Sequence, residues 1–134
     1  MLLGGSQGRE YAELPWLIDV AVMAVLLILG YIVFGTILRR REKKLYISLW
    51  YYMGTLLWFP IVYFIGNVMW QPPEGALNGI QDAIFNWYYG HNVLGLWFTT
   101  LGIPAWYYFI PKMTNRPLYS HLLSLIAFFT IAFF

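Results

Sequence analysis

Residues 17–38 read LIDVAVMAVLLILGYIVFGTIL, and the basic run RRREKK follows at once at positions 39–44. The first stretch has 22 residues and one formal charge, Asp19, close to its start. A helix of about 20 predominantly apolar residues is long enough to cross the hydrocarbon core of a bilayer. A basic flank is typical of the cytoplasmic end of such a helix. The stretch therefore predicts a membrane-spanning helix, too long and too strongly flanked to be a cleaved signal peptide.

Three more apolar runs follow, and each of them predicts another helix. Residues 45–70 and 83–111 give 26 and 29 residues without Asp, Glu, Lys or Arg, and 118–134 gives 17. The runs do not alternate between apolar and polar positions, which argues against a transmembrane β-barrel. The fourth run is short and apolar up to its last residue, so we expect an incomplete helix and a sequence that is a piece of a longer protein. Residues 1–134 then form a single all-α transmembrane region with four helices.

The composition excludes several classes of protein. Hydrophobic residues make up 60% of the chain and charged residues only 10%, whereas charged residues are about 25% of soluble domains. A soluble domain of 134 residues could not bury so much apolar surface. A soluble enzyme, a nucleic-acid-binding module and a disordered tail are therefore excluded. The absence of cysteine excludes disulfides, thiolate metal sites and covalently attached c-type haem within the sequence.

The basic residues predict the orientation of the helices. Seven of the eight Lys and Arg fall between the first and second runs or between the third and fourth. The positive-inside rule makes this side cytoplasmic, and the N-terminal stretch and the 71–82 loop then face outward. The 39–44 cluster could also bind anionic lipid, but its place directly after a spanning helix favours the topological role. The seven residues are Arg39, Arg40, Arg41, Lys43, Lys44, Lys112 and Arg116.

His91 is the outstanding polar residue inside a predicted span. It lies eight residues beyond Ala83, about 12 Å along the helix. Trp87, Gly95 and Thr99 share its helix face at spacings of four, and we expect this stripe to face the interior of the bundle, with Gly95 leaving room for a bulky group or cofactor. His91 could donate a hydrogen bond to a neighbouring helix or bind copper, iron or zinc. One histidine cannot form a metal site alone, so further ligands would come from elsewhere.

The other polar or helix-breaking residues have simpler interpretations. His121, the only other histidine, is expected near the cytoplasmic end of the fourth helix, facing the interface and at a different depth from His91. Pro60 and Pro104 lie inside spans, where we expect them to kink the helices, with the freed backbone groups satisfied by neighbours.

An ordered set of motifs resembles the catalytic subunit I of cbb₃-type cytochrome c oxidases, the C family of haem–copper oxygen reductases. The likeness extends over essentially the whole chain and is most specific around WYYGHNVLG. The resemblance implies a fold in which the four helices are part of a twelve-helix-type bundle. The motifs are GREYAE at 8–13, RREK at 40–43, IGN at 65–67, QDA at 81–83, WYYGHNVLG at 87–95, YYFIPK at 107–112 and RPLYS at 116–120.

The resemblance also implies a function. It predicts a proton-pumping terminal oxidase of the bacterial plasma membrane, which reduces oxygen to water with electrons from cytochrome c. Its cofactors would be copper and a low-spin and a high-spin haem b, with most ligands outside this sequence, and calcium as a further ion. Its partners would be subunits that carry c-type haems, cytochrome c and membrane lipid, but no nucleic acid. A piece of this size would not be active by itself.

Site residues follow from the same resemblance. His91 matches a ligand of the active-site copper, and Trp87, Asn92 and Gly95 would pack around that site, although Trp87 and Asn92 could equally be ordinary packing residues. Copper needs neutral imidazole ligands and surrounding groups that fix the ring. The residues expected on the proton path are Thr99, Tyr107 and Ser124.

Two features leave parts of this assignment open. The family's proton path uses polar residues further along the fourth helix, where this sequence has Ala127 and Phe128. Glu10 matches a carboxylate of the family's calcium site, but Glu13 competes for that role and both could be solvated loop acids.

Two other functions compete with the oxidase. A nitric oxide reductase would place extra glutamates near its non-haem iron, and the third run has none after Asp82. A small non-catalytic four-helix membrane protein, in which His91 only packs, would carry a completed fourth helix and a polar tail.

Overall fold

A computed structural model describes residues 10–69 and 78–133, and their regular structure is entirely helical. This confirms the predicted all-α class. The predictions that concern Arg9, the 70–77 stretch and Phe134 lie outside the described residues. The helices are α1 (Trp16–Leu38), α2 (Ile47–Tyr63) with a first π-helical segment (Phe64–Val68), α3 (Ile80–Asn92), a second π-helical segment (Val93–Thr99), α4 (Thr100–Thr114) and α5 (His121–Phe133).

Three continuous helical stretches in the described part are long and apolar enough to cross a membrane, namely 16–38, 47–68 and 80–114. The helix of the third run begins at Ile80, three residues earlier than predicted. Gly79 precedes it with a φ of +60°, a conformation that glycine adopts readily. Asp82, which was predicted to lie in the loop, lies in the first turn of the helix. A negative charge at this end of a helix interacts favourably with the helix dipole.

The fourth apolar helix is shorter than predicted among the described residues. α5 begins at His121 rather than Leu118 and has 13 residues. The Ser120 hydroxyl accepts a hydrogen bond from the backbone N–H of Leu123 at 3.3 Å. This bond is that of a helix N-cap, and it explains why the helix starts at residue 121.

The helix α2 forms the centre of the bundle. Over 18 consecutive apolar residues of the 47–68 stretch, 44% of the residues are buried, whereas the share is 17% in each of the other two spanning stretches. It packs against α1, α4 and α5. Two core clusters form on it, one around Phe59 and Tyr63 and the other around Tyr51 and Phe128.

Two hydrogen bonds define the ends of the bundle. The Trp16 indole donates to the carbonyl of Val68 at 2.8 Å, so the start of α1 meets the end of the first π segment. The Ser48 hydroxyl donates to the carbonyl of Pro104 at 2.8 Å, so the start of α2 lies beside the second half of the continuous 80–114 stretch. The basic 39–46 and 115–120 loops therefore share one end of the bundle.

Glycines allow two close helix contacts. A methyl group on Gly66 would overlap Cβ and Cγ of Tyr89, and one on Gly54 would overlap the ring of Phe128. Gly66 therefore lets α3 approach the first π segment, and Gly54 lets α5 approach α2.

Both π segments are neighbours of a proline-containing helix. Pro60 precedes the first segment, and Pro104 follows the second. Proline lacks a backbone N–H, so each of these prolines removes one hydrogen bond from its helix. Short π-helical segments are frequent at functional sites. The hydroxyl of Thr99 donates to the carbonyl of Leu94 at 2.8 Å, a spacing of five residues that matches the π geometry.

Candidate functional site

His91 and Tyr89 point in opposite directions from α3. Side chains two positions apart on an α-helix are rotated from each other by about 200° around the helix axis. Tyr89 is 5% exposed and packs edge-on against Tyr63, with 5.7 Å between ring centroids. His91 is exposed on the surface of the bundle that the described residues form. Tyr89 thus anchors the turn, and His91 projects from it.

The expected stripe around His91 does not face the interior of this bundle. Trp87 is 53% exposed and Thr99 is also exposed, while Gly95 is half-buried. Within the described helices the stripe lies on the outer face, and its place in a larger bundle stays a prediction. The physical reason is that large side chains occupy the inward face instead: Leu96 is buried, and Trp97 stacks on Phe59 at 4.6 Å between centroids.

The surroundings of His91 leave its imidazole accessible. A Cβ at Gly95 would lie 3.9 Å from Nε2 of His91, with no other atom as near. The Asn92 amide donates to the carbonyl of Tyr88 at 2.7 Å, so it is bound to its own helix. Trp87 packs edge-on against Tyr11, with 6.3 Å between centroids. Of the residues predicted around the site, Trp87 and Gly95 therefore share the face of His91.

Among the described residues, His91 is the candidate metal ligand of this face. An exposed neutral imidazole suits copper, iron or zinc. Over residues 10–69 and 78–133, no group of three or more His, Cys, Asp or Glu is arranged to hold a metal ion. His91 can therefore supply one ligand to a site that needs others.

Glu10 and Glu13 are both exposed, in the stretch that precedes α1. They do not form part of a metal-binding cluster within the described part of the chain. The assignment of Glu10 to calcium stays a prediction.

His121 is exposed at the first residue of α5, at the end that carries the basic loops.

The three hydroxyl residues predicted on a proton path are only partly brought together. Tyr107 is half-buried, and Ser124 is buried with its hydroxyl donating to the carbonyl of Ser120 at 3.0 Å. Tyr107 belongs to the cluster of Tyr51 and Phe128, where α2, α4 and α5 meet, and Ser124 lies one turn before Phe128 on α5. Thr99 instead faces outward and bonds to its own helix.

Sequence reasoning missed a buried hydroxyl pair. The Oγ1 atoms of Thr55 on α2 and Thr100 on α4 lie 2.6 Å apart, and both residues are fully buried. Thr55 also reaches the carbonyl of Tyr51 at 2.8 Å, and Thr100 reaches the carbonyl of Leu96. Threonines inside apolar runs commonly form hydrogen bonds within and between membrane helices, and this was the available signal.

Taken together, these features define a class: an integral membrane protein of packed apolar helices that presents the exposed imidazole of His91 from within one of its spanning helices. The profile of the family Cytochrome C and Quinol oxidase polypeptide I matches residues 1–134. The chain belongs to this family, that of the haem–copper oxidases.

Curated relatives agree with the family assignment. The chain is 36% identical to cytochrome c oxidase subunit 1 of Rhodobacter capsulatus over 98% of its length and 26% of the relative's. It is 33% identical to the cbb3-type cytochrome c oxidase subunit CcoN1 of Stutzerimonas stutzeri, over 96% of its length and 28% of the relative's. The chain thus spans about a quarter of the length of the relatives it matches.

Proposed function

We propose that this chain is part of the catalytic subunit of a cbb₃-type terminal oxidase, which reduces oxygen to water with electrons from cytochrome c and pumps protons. The observation that carries the proposal is the position of His91. Its imidazole projects from the side of α3 opposite the anchored Tyr89, away from the chain's own bundle. A ligand for a metal that is shared with further helices needs this kind of exposure.

His91 would act as one ligand of the active-site copper. A neutral imidazole binds copper in both oxidation states that a redox metal requires. When bound, copper together with the iron of the high-spin haem b supplies electrons to oxygen. The contribution of this chain is positional: Tyr89 and Trp97 hold the helix on α2, and the missing side chain at Gly95 leaves Nε2 accessible. Trp87 would pack beside the site, and Asn92 would stiffen the turn through its bond to Tyr88.

The orientation we propose places the basic loops in the cytoplasm of a bacterial cell, with the helices in its plasma membrane. His91 lies 11 residues after Ile80, about 16 Å into the helix. It is therefore closer to the outward end of the 80–114 stretch than to the basic end. Protons drawn from the cytoplasm would approach from the basic end.

Tyr107 and Ser124 are the residues of this chain that we assign to proton transfer, because Tyr107 packs where three helices meet and the buried Ser124 lies one turn before Phe128 of the same cluster. Thr99 would join them from the outer surface of the second π segment, in contact with further helices. Glu10 would contribute to a calcium site together with groups outside this chain. The partners would be subunits that carry c-type haems, cytochrome c, and lipid against the exposed apolar faces.

The copper assignment is tested by His91→Ala in the intact oxidase complex. We expect loss of one copper per catalytic subunit and loss of oxygen reduction, because the ligand is removed while Tyr89 and Trp97 still hold the helix. His121→Ala is the matched control and should retain both copper and turnover. Copper content and turnover that survive the His91 substitution would show that this histidine is not a ligand.

A further inference from the structure

The side chain of Tyr51 is buried at the point where α2, α4 and α5 meet. Its relative exposure is 0%. Its hydroxyl oxygen is also inaccessible to solvent and makes no direct hydrogen bond of good geometry to any of the described residues. Buried hydroxyls in folded proteins nearly always have a protein or water partner, so an unsatisfied one needs a specific explanation.

The neighbours of Tyr51 come from two helices that carry assigned proton-path residues. The ring of Tyr107 on α4 is 5.7 Å away between centroids, tilted by 41°. The ring of Phe128 on α5 is 5.0 Å away at 64°, and Ser124 lies one turn before Phe128 on that helix. Tyr51 therefore contacts Tyr107 on α4 and, through Phe128, the face of α5 that also carries Ser124.

Packing does not account for the hydroxyl. The ring contacts with Tyr107 and Phe128 would be made equally well by a phenylalanine, which lacks only the polar atom. The neighbouring hydroxyls on α2 do have partners. The Ser48 hydroxyl donates to the backbone carbonyl of Pro104, and the Thr55 hydroxyl lies within hydrogen-bond distance of the backbone carbonyl of Tyr51 and of the Thr100 hydroxyl. Of these hydroxyl groups on α2, that of Tyr51 is the one without a hydrogen bond of good geometry among the described residues, and it lies beside the hydroxyl of Tyr107.

We propose that the Tyr51 hydroxyl holds a water molecule and transfers protons between Tyr107 and Ser124. This inference rests on the proposed function and extends its proton path to α2. In each transfer the phenol oxygen forms a bond to the incoming proton while its own O–H bond breaks and that proton passes on. Tyr51 is neutral before and after the step, and no electron moves.

The test uses Tyr51→Phe in the intact oxidase complex reconstituted in liposomes. Proton uptake during a single turnover should slow by about a hundredfold, the lower end of the range for loss of a positioned proton-transfer group, and the solvent deuterium isotope effect should rise. The midpoint of thermal unfolding should change little, because phenylalanine keeps the ring contacts with Tyr107 and Phe128. Tyr31→Phe, which removes an exposed hydroxyl from α1, is the control and should change neither quantity.

Tyr107→Phe separates failure of this inference from failure of the proposed path. If Tyr107→Phe slows proton uptake and Tyr51→Phe does not, the role of Tyr51 is refuted while the path stands. If neither slows it, both are refuted, and the His91 experiment still decides the copper assignment. Slower uptake with a lowered unfolding midpoint would make Tyr51 a packing residue and overturn the proposal.

A second measurement is independent of turnover. A high-resolution structure of the unmodified complex should show an ordered water within hydrogen-bond distance of Tyr51 Oη. If that structure shows no ordered water within hydrogen-bond distance of Tyr51 Oη, the inference is overturned.

Discussion

Tyr63 donates a hydrogen bond of 2.7 Å to Oδ1 of Asp19, and this bond joins α2 to α1 inside an apolar bundle. Asp19 is 1% exposed. Carboxyl groups at membrane depth are costly and are found with partners. The bond therefore explains how the one acidic residue of the first run is accommodated within α1.

Removing this partner should destabilise the protein. Tyr63→Phe keeps the ring contact with Tyr89 but leaves the Asp19 carboxyl without its donor. We expect a loss of about 1–3 kcal/mol in the free energy of unfolding, the usual cost of an unsatisfied buried polar group. Asp19→Leu combined with Tyr63→Phe should recover much of this loss, because both polar partners are then replaced by apolar groups. Equal stability of the Tyr63→Phe variant and the unmodified full-length protein would show that the bond is not important.

Gly66→Ala should disturb the helix that carries His91. The new methyl group overlaps the base of the Tyr89 side chain rather than its flexible end, so α3 has to shift. Overpacking of this kind costs about 1–3 kcal/mol, and we expect a lower unfolding midpoint and reduced copper occupancy in the full-length protein. Gly35→Ala is the control, because a Cβ there meets nothing within 4 Å. If the two variants behave alike, the close approach at Gly66 does not position α3.

The Thr55–Thr100 pair should contribute modestly to the packing of α2 against α4. Each threonine retains a carbonyl acceptor in its own helix, so replacing either by valine leaves the other hydroxyl satisfied. A double-mutant cycle should give a coupling free energy of about 0.6 kcal/mol, the average for hydrogen bonds between membrane helices. Thr130→Val, at an exposed threonine bonded to its own helix, is the reference. A coupling near zero would mean that the contact contributes nothing to stability.

The proposed orientation can be measured by cysteine labelling, because the chain contains no cysteine of its own. Cysteines replacing Lys43 and Thr114 should be protected from a membrane-impermeant maleimide in intact cells and react after lysis. A cysteine replacing Asn78 should react in intact cells. All three positions are exposed, so differences in labelling report sidedness. The opposite pattern would reverse the proposed topology.

Hydropathy was sufficient to predict the helices, because every long apolar run must satisfy its backbone internally in lipid. It could not predict which face of a helix turns inward. For the helix that carries His91, the inward face is fixed by Tyr89 and Trp97, whose aromatic partners lie on α2, far away in the sequence. Likewise, the Thr55–Thr100 contact joins residues 45 positions apart, and nothing local in the sequence specifies it.

The π segment at Val93–Thr99 also bears on how this helix can vary in length among homologous proteins. A π turn closes its hydrogen bond over five residues, whereas an α turn closes it over four. Deleting one residue there lets the turn relax to α geometry with the flanking turns in place, while a deletion elsewhere rotates the following part of the helix by about 100°. Gaps in an alignment of this helix with its homologues should therefore concentrate between residues 93 and 99, where evolution can add or lose a residue without misaligning His91 and Thr100.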